Sequence, residues 1–159
     1  MDRIDDSDAT ILRLLQTRGR IKRTEIAEEL GVSIPTVSER MRKLEERGVI
    51  TGYHAVVDAK RLGRDITAFV RVRSTGSEHY DAFIEAVLGM DEVLELHSVT
   101  GGGSHLLKIR VANTAALEQL LGRLQSLPGV RGTETSLVLS TLKETRTLAV
   151  DPMTLVPSD

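Results

Sequence analysis

The sequence predicts an α+β protein with two domains: an N-terminal winged helix-turn-helix and a C-terminal ferredoxin-like (βαβ)2 sandwich. Three observations support this fold class. Helix start and stop signals divide residues 4–48 into short helices, residues 49–58 alternate like strands, and the apolar pattern of residues 66–99 recurs over residues 103–136. The predicted domain limits are residues 1–60, residues 61–150 and a C-terminal tail, residues 151–159.

The first helix is predicted to begin after Asp5, whose side chain can cap it, and to end at Gly19. Asp8 is three positions after the cap, where a carboxylate favours the positive end of the helix dipole. A second, short helix is predicted over residues 23–30, and it ends at Gly31.

The third helix is predicted to begin after Ser33 and to end at Gly48. Its apolar residues form one narrow stripe, which consists of Ile34, Val37, Met41 and Leu44. The polar residues point away from this stripe. The segment VITGYHAVVD (49–58) then alternates around Thr51 and Gly52, which predicts a two-stranded wing.

Two helices joined by a short turn that contains glycine, the second with a polar outer face, are typical of a helix-turn-helix. An α-helix fits the major groove of DNA, and residues in its first turns reach the base edges. We therefore predict that the helix within Gly31–Tyr53 binds double-stranded DNA. A helical hairpin with a charged surface is the alternative interpretation.

Positive charge is concentrated in the first half of the chain. Residues 1–64 contain 13 Lys and Arg against 11 Asp and Glu, whereas residues 65–159 contain 8 against 12. The cations form the clusters RGRIKR (18–23), RMRK (40–43) and KRLGR (60–64). Such clusters suit an anionic polymer, although solvated helix ends have the same composition.

In the second half, each copy of the repeat reads as strand, amphipathic helix, strand. The matched apolar residues are Val70 with Leu107, Val72 with Ile109, Tyr80 with Leu117, Phe83 with Leu120, Ile84 with Leu121, Val87 with Leu124, Met90 with Leu127 and Val93 with Val130. Two βαβ units predict a four-stranded antiparallel sheet with both helices on one face. A second copy of the chain would cover the other face, which carries Phe69 and Leu106, so we expect a homodimer.

The segment HSVTGGGSHLLK (97–108) is predicted to be a hairpin between the second and third strands of this sheet. If its turn is centred on Gly102 and Gly103, Glu95 lies opposite Arg110, a favourable pair of opposite charges. Three consecutive glycines either let the backbone approach a ligand or form a flexible turn.

The whole chain resembles the Lrp/AsnC (feast/famine) family of prokaryotic transcription regulators. The resemblance covers roughly residues 4–150 and is carried by the sequence from Ile4 to Asp58 and by AFVRVR, SVTGGGSHLLKIRV and LPGVRGTETSLVL. It implies DNA binding by a winged helix-turn-helix, dimers that assemble into tetramers or octamers, and control by small effectors, usually amino acids. It also implies that the C-terminal half forms the dimer core. The effector pocket would lie near the glycine loop (residues 99–103) at contacts between dimers.

The predicted DNA-contact residues are Ser33, Thr36, Ser38, Glu39, Arg40, Arg42 and Lys43. Thr36, Glu39 and Lys43 face outward and are the predicted base readers. Arg40 and Arg42 lie on the flanks of the helix, where they suit phosphates. Glu39 either accepts a hydrogen bond from a cytosine amino group or pairs with Lys43 one turn later.

The predicted effector-binding residues are Ser98, Thr100, Gly101, Gly103, Ser104, Thr133 and Thr135. Ordinary strand and turn hydroxyls are the alternative role for them. After VTG the family often has an acidic and an aromatic residue, then Asp and an aromatic; this chain has Gly102, Gly103, Ser104 and His105. Because an acidic residue would bind the ammonium of an amino acid, its absence argues against ordinary amino-acid sensing.

The remaining composition excludes several other classes. The 159-residue chain has 40% hydrophobic and 28% charged residues and no cysteine, which fits a globular protein of the reducing cytosol. The start MDRIDDSDAT is unlike a signal peptide, and no apolar run has the length of a membrane span. There is no HExxH, phosphate loop or GxSxG motif, and the four histidines are scattered. We therefore expect a cytoplasmic protein that is not an enzyme and has no cofactor, metal or membrane partner.

Together these observations predict a sequence-specific DNA-binding transcriptional regulator. It is expected to be homo-oligomeric and to be modulated by a small molecule such as an amino acid. The alternative is an architectural DNA-compacting protein of the same fold, with little sequence preference and no effector.

Overall fold

The structure is a computed structural model that describes residues 3–75 and 78–155. Its contacts divide the chain into two compact units. The first contains the described residues up to Val56 together with those from Lys143 onward, and the second contains those between Val57 and Leu142. Among the described residues, no helix is long and apolar enough to cross a membrane.

The first unit begins with strand β1 (Arg3–Ile4) and continues with helices α1 (Asp6–Thr17), α2 (Arg23–Leu30) and α3 (Ile34–Glu46). The cap predicted for α1 is confirmed. The Asp5 side chain accepts a hydrogen bond from the Asp8 amide, and the Asp8 side chain accepts one from the Asp5 amide. Helix α2 ends at Gly31, whose left-handed φ of 65° suits glycine.

One face of each helix forms the core of the first unit. Its buried residues are Ile4, Ala9, Ile11, Leu12, Ile26, Ala27, Val37, Met41 and Leu44. The predicted stripe of α3 is therefore confirmed except at Ile34, which is 45% exposed. Because helical side chains lean toward the N-terminus, the side chain of this first residue extends past the end of the helix.

The two-stranded wing predicted at residues 49–58 is not formed, because this described segment contains no strand. Residues 51–58 are exposed, and Val56 is 100% exposed, so the alternation does not correspond to a buried face. An isolated two-stranded hairpin is at best marginally stable in water. The Tyr53 hydroxyl instead donates a 2.8 Å hydrogen bond to Glu45 of α3.

The second unit contains β2 (Ile66–Ser74), α4 (Tyr80–Leu88), β3 (Val93–Ser98), β4 (His105–Val111), α5 (Thr114–Gln125) and β5 (Val130–Leu137). Its described strands form one antiparallel sheet in the order β3-β4-β2-β5. This is the strand order of a ferredoxin-like sandwich. The predicted fold class and the repeat are confirmed.

Alternate residues of the strands in the second unit are buried together with one face of each helix. Strand β4 shows the alternation most clearly, because His105, Leu107, Ile109 and Val111 are buried. The helices contribute Phe83, Val87, Leu117, Leu120 and Leu124. Tyr80 departs from the repeat: it is 46% exposed, whereas its counterpart Leu117 is buried.

The register predicted for the β3–β4 hairpin is wrong by two residues, so the side chains stay on the predicted faces but have different partners. Glu95 lies opposite Lys108 rather than Arg110, and its carboxylate is 3.3 Å from the Lys108 ammonium. The turn is therefore centred on Gly101 and Gly102. Gly101 has a φ of 103°, a conformation that only glycine adopts readily, so the first glycine of the run makes the turn.

The C-terminal tail, which in the structure extends from Lys143 onward, completes the first unit. Strand β6 (Met153–Thr154) pairs with β1 in an antiparallel arrangement. The Gln16 amide of α1 makes two hydrogen bonds with the backbone of Leu148, one to its carbonyl at 3.1 Å and one from its N–H at 2.7 Å. Val150 and Leu155 pack against the buried core of the unit.

The division of the chain therefore differs from the predicted limits, which assigned residues 61–150 to the C-terminal domain. The described residues from Lys143 onward belong to the first unit. The reason is that backbone groups of the tail bind side chains of α1; Arg13, for example, donates a 3.0 Å hydrogen bond to the Val150 carbonyl. These contacts span more than a hundred residues, so local sequence patterns do not reveal them.

Candidate functional site

The N-terminus of α3 is fixed by two hydroxyl side chains. The Ser33 Oγ accepts a 3.3 Å hydrogen bond from the Thr36 amide, and the two hydroxyl oxygens are 2.8 Å apart. Ser33 is thus the cap of the helix, as predicted. Pro35 lies in the first turn, where its missing N–H leaves no helical hydrogen bond unmade.

The exposed face of α3 borders a shallow depression of about 510 Å³ that extends to the start of α1. It is lined by Asp8, Pro35, Thr36, Glu39, Arg40, Lys43 and Arg47. Thr36, Glu39 and Lys43, the predicted base readers, therefore lie along one surface of the first unit. Arg47 was not among the predicted residues, although its position four residues after Lys43 places both on the same helix face.

Glu39 is bound by cations of its own helix. The Arg42 guanidinium donates to its carboxylate at 2.7 and 2.9 Å, and the Lys43 ammonium is 3.5 Å away. The hydrogen bonds from Arg42 are the main reason that the pKa of Glu39 falls to about 2. Arg42 also pairs with Glu46. Of the two roles considered for Glu39, the structure contains the intrahelical pair with Lys43.

Arg40 binds two carboxylates at the start of α1. Its Nη1 donates to Asp5 Oδ2 and to Asp8 Oδ1, each at 2.8 Å. These hydrogen bonds, the one to Asp5 first, raise the pKa of Arg40. Asp8 is only 7% exposed, so the guanidinium supplies the counter-charge for a buried carboxylate. Arg40 therefore joins α3 to the capping box of α1.

Ser38 also faces a neighbouring helix rather than the exposed surface of α3. Its Oγ accepts a 3.4 Å hydrogen bond from the Arg23 guanidinium of α2, and the residue is half-buried. The exposed members of the predicted set are Ser33, Thr36, Glu39, Arg42 and Lys43. The inward contacts of Ser38 and Arg40 depend on how the helices pack, which the periodicity of one helix does not specify.

The basic clusters have different surroundings. Arg18, Arg20 and Lys22 are exposed near the connection between α1 and α2. In contrast, Lys60 and Arg61 pair with nearby aspartates at 3.5 Å in the second unit. Exposed cations around the helix-turn-helix are suited to phosphate contacts.

The glycine loop is held at the end of β2. The Val99 amide donates to the Ser104 carbonyl at 3.1 Å, and the Ser104 amide donates to the Val72 carbonyl at 2.9 Å. A Cβ atom on Gly103 would lie 2.6 Å from Arg71 Cγ and 3.0 Å from the Val72 oxygen. Gly103 is therefore required for close packing, which is a reason for this glycine beyond the turn itself.

The predicted effector residues lie in two groups near the end of β2. One group is in and beside the glycine loop, and the other is on β5. Ser98 and Ser104 flank the glycine loop, whereas Thr133 lies opposite Val72 on β5. The Ser98 hydroxyl is 3.2 Å from the Tyr80 hydroxyl. The Thr133 hydroxyl accepts a 2.8 Å hydrogen bond from Gln125.

Thr100 and Gly101 lie in the turn of the loop, between Val99 and Ser104. Thr135 is farther along β5, opposite Val70. In the parts of the chain that the structure describes, no group of three His, Cys, Asp or Glu side chains is arranged to hold a metal ion.

Both units are similar to known protein families. Residues 4–51 match the family described as winged helix-turn-helix DNA-binding, and residues 67–148 match the Lrp/AsnC ligand binding domain. The chain is 35% identical over 147 residues to the HTH-type transcriptional regulator FL11 of Pyrococcus horikoshii, with 92% of this chain and 97% of that protein covered. It is 35% identical over 150 residues to the leucine-responsive regulatory protein of Escherichia coli, with 92% of each covered.

Solved structures of transcriptional regulators are also similar to this chain. A transcriptional regulator of Neisseria meningitidis in complex with L-Met has a TM-score of 0.87 and 29% identity, with 91% of this chain and 95% of that chain covered. The feast or famine regulatory protein of M. tuberculosis complexed with L-methionine has a TM-score of 0.86 and 33% identity, with 92% and 99% covered.

Proposed function

The chain belongs to the Lrp/AsnC family of DNA-binding transcriptional regulators, and we propose that it reads DNA with the exposed face of α3. The observation that carries this proposal is the depression of about 510 Å³ along that face, where Thr36 and Lys43 project from a helix whose other side is buried. A helix with one buried and one polar face can enter the major groove without disturbing its own core.

The contacts of the side chains divide the proposed roles within α3. Thr36 lies in the first turn, where side chains reach base edges, so it is our proposed base reader together with Lys43. The carboxylate of Glu39 is occupied by Arg42 and Lys43 and serves to orient these cations. Arg42 is proposed to contact phosphate. Arg40 and Ser38 support the helix from its inner side.

Substitutions at Thr36 and Arg42 test this division. We expect Thr36→Ala to change the preferred sequence, because it removes a hydroxyl at the base edges. We expect Arg42→Ala to weaken binding to all sequences and to reduce the salt slope by about one unit per bound subunit. The measurement is affinity for specific and random duplexes across salt concentrations. Thr24→Ala on the exposed side of α2 is the matched control, and it should behave as wild type. An unchanged salt slope for Arg42→Ala would remove Arg42 from the DNA surface.

We also propose that the chain is a homodimer that forms through the sheet face opposite α4 and α5, and that dimers assemble further. On this face Phe69 is 38% exposed and Leu106 is half-buried. The charged residues around them are Arg71, Arg73, Glu95, Lys108, Arg110 and Glu134. An apolar centre with a charged rim is the usual composition of a protein–protein interface.

The substitution Phe69→Glu tests this interface. A carboxylate would replace the apolar ring at the centre and lose its hydration there, a cost that Lys108 opposite it offsets only in part. We therefore expect the dimer dissociation constant to rise at least about a hundredfold. Sedimentation equilibrium measures it. Leu139→Glu introduces the same charge at a residue that is 96% exposed outside this face and should leave the dimer intact. A stable dimer of the Phe69→Glu protein would place the interface elsewhere.

The second unit is proposed to bind a small effector near the glycine loop. Two similar structures contain methionine, and one relative is named leucine-responsive, which supports an amino acid or a compound of that size. The proposed contacts are Ser98, Thr100, Gly101, Gly103, Ser104, Thr133 and Thr135. The loop carries no carboxylate, so an ammonium group would require a partner outside residues 98–105.

The relatives are named as regulators, which favours a regulator without enzymatic activity over an architectural protein. We propose that the chain acts in the cytoplasm, where the DNA of prokaryotes lies. Residues 1–60, completed by the tail, are proposed to bind DNA. The remaining described residues up to Leu142 are proposed to bind the effector and a second copy of the chain.

A further inference from the structure

His105 is a titratable residue inside the core of the second unit. It is the first residue of β4 and is only 2% exposed. The centre of its imidazole ring is 4.7 Å from that of Phe83 and 5.5 Å from that of Tyr80. Along β4 it occupies the same buried face as Leu107, Ile109 and Val111.

Within the described residues, neither ring nitrogen of His105 has a hydrogen-bond partner. A neutral imidazole carries one N–H and a protonated imidazole carries two. Removing the charged form from water without a partner is much less favourable than removing the neutral form. The site therefore accepts the neutral ring and opposes the protonated one.

The groups that face the imidazole carry no charge at neutral pH. They are the Tyr80 and Phe83 rings of α4, Val72 opposite it on β2, and Ser98 opposite it on β3. The charged and titratable residues of these elements lie elsewhere. Arg71, Arg73, Glu95 and His97 occupy the other face of the sheet, and Asp81 and Glu85 lie on the exposed side of α4. Glu78 and His79, just before α4, pair with each other at 3.4 Å. Burial lowers the pKa of His105.

The position of His105 connects this core site to the glycine loop. Ser104, the preceding residue, is bound on both sides of its backbone to Val99 and Val72. The Tyr80 ring that packs on His105 also holds the Ser98 hydroxyl at the other end of the loop. Moving the imidazole toward water would therefore disturb both ends of the loop.

We propose that His105 is a proton-sensitive switch of the second unit, whose protonation unpacks the start of β4 and loosens the adjacent glycine loop. The proposed loss of core contacts at low pH does not depend on any ligand. The consequence for effector binding at the loop rests on the proposed function.

The direction of the effect follows from linkage. The unfolded pKa of histidine is about 6.5, and the pKa in the folded protein is lower. The stability that the neutral His105 ring contributes to the second unit is therefore fully present above pH 6.5. It decreases as the pH falls below that value and levels off only below the folded pKa. Over this range the folding equilibrium constant falls by up to about tenfold per pH unit.

The test uses the full chain at one fixed protomer concentration, because dimerisation changes apparent stability. NMR titration gives the pKa of His105, and urea unfolding gives the equilibrium constants at pH 7.5 and pH 5.5. We expect wild type to lose up to about tenfold more in this constant between the two pH values than His105→Phe, which retains an aromatic ring without a titrating group. His54→Gln is the matched control, because His54 is an exposed histidine of the first unit; it should behave as wild type.

Two results would overturn the proposal: a folded pKa of 6.5 or higher for His105, or the same pH dependence in His105→Phe and wild type. The titration of wild type decides the question even where the Phe substitution prevents folding. DNA binding by wild type at pH 7.5 tests the proposed function separately, since the switch proposed for His105 concerns only lower pH.

Discussion

The substitution Lys43→Glu is expected to reduce affinity for specific DNA at least about a hundredfold. Each subunit of a dimer loses one cation at the DNA surface and gains an anion that repels phosphate, and a single base or phosphate contact contributes about 1–3 kcal/mol. The Lys43 side chain is 59% exposed and pairs with Glu39 at 3.5 Å, so the fold does not depend on it. Electrophoretic mobility shift at near-physiological salt measures the loss.

The matched control makes the same charge change on the second unit. Arg123 of α5 forms an exposed ion pair with Glu92, and such pairs contribute little to stability. Arg123→Glu should therefore fold, dimerise and bind DNA within a few-fold of wild type. Equal losses of affinity in both variants would mean that net charge, rather than the face of α3, determines binding.

Leu44→Ala is expected to lower the free energy of unfolding of the first unit by about 2–5 kcal/mol. The Leu44 side chain is 0% exposed in the core that supports α3, and truncation leaves a cavity that surrounding residues fill only in part. Because the DNA surface lies on the same helix, specific DNA binding should be lost at temperatures where dimers persist.

Leu120→Ala provides the reciprocal experiment. Leu120 is equally buried, in the core of the second unit, so its truncation should weaken that unit by a similar amount. Calorimetry that resolves the unfolding transition of each unit distinguishes the two variants, because each substitution should lower only the transition of its own unit. If both variants lowered the same transition by the same amount, the two units would unfold as one, contrary to their separate cores.

Much of this fold could be predicted because its signals are local or periodic. Asp5 and Asp8 form the predicted capping box, Ser33 caps α3, and Gly31 ends α2. The repeat in the second half predicted both helices and the four-stranded antiparallel sheet, since equivalent positions bury equivalent side chains. Outward-facing residues of the proposed DNA surface followed from helical periodicity in the same way.

The remainder depends on contacts between distant parts of the chain. The partners of Arg40 are 35 and 32 residues away, so its position on the flank of α3 indicated phosphate binding rather than an internal ion pair. The hairpin register depended on which glycine makes the turn. Gly101 makes it with a φ of 103°, whereas Gly103 packs closely against Arg71. Similarly, the alternation in residues 49–58 resembles a strand, but these residues lack a neighbouring strand to pair with in the described chain.

The exposed face of α3 is proposed to read a specific DNA sequence. Selection of binding sites from random duplex DNA at near-physiological salt tests this role, with a parallel selection in a pooled amino-acid mixture. We expect wild type to enrich an inverted repeat, because a two-fold dimer requires two-fold sites, and we expect amino acids or related compounds to shift the enrichment. Retention of DNA without enrichment would contradict sequence-specific reading and favour an architectural protein, and no retention at all would contradict the assignment of α3 as the DNA-binding helix.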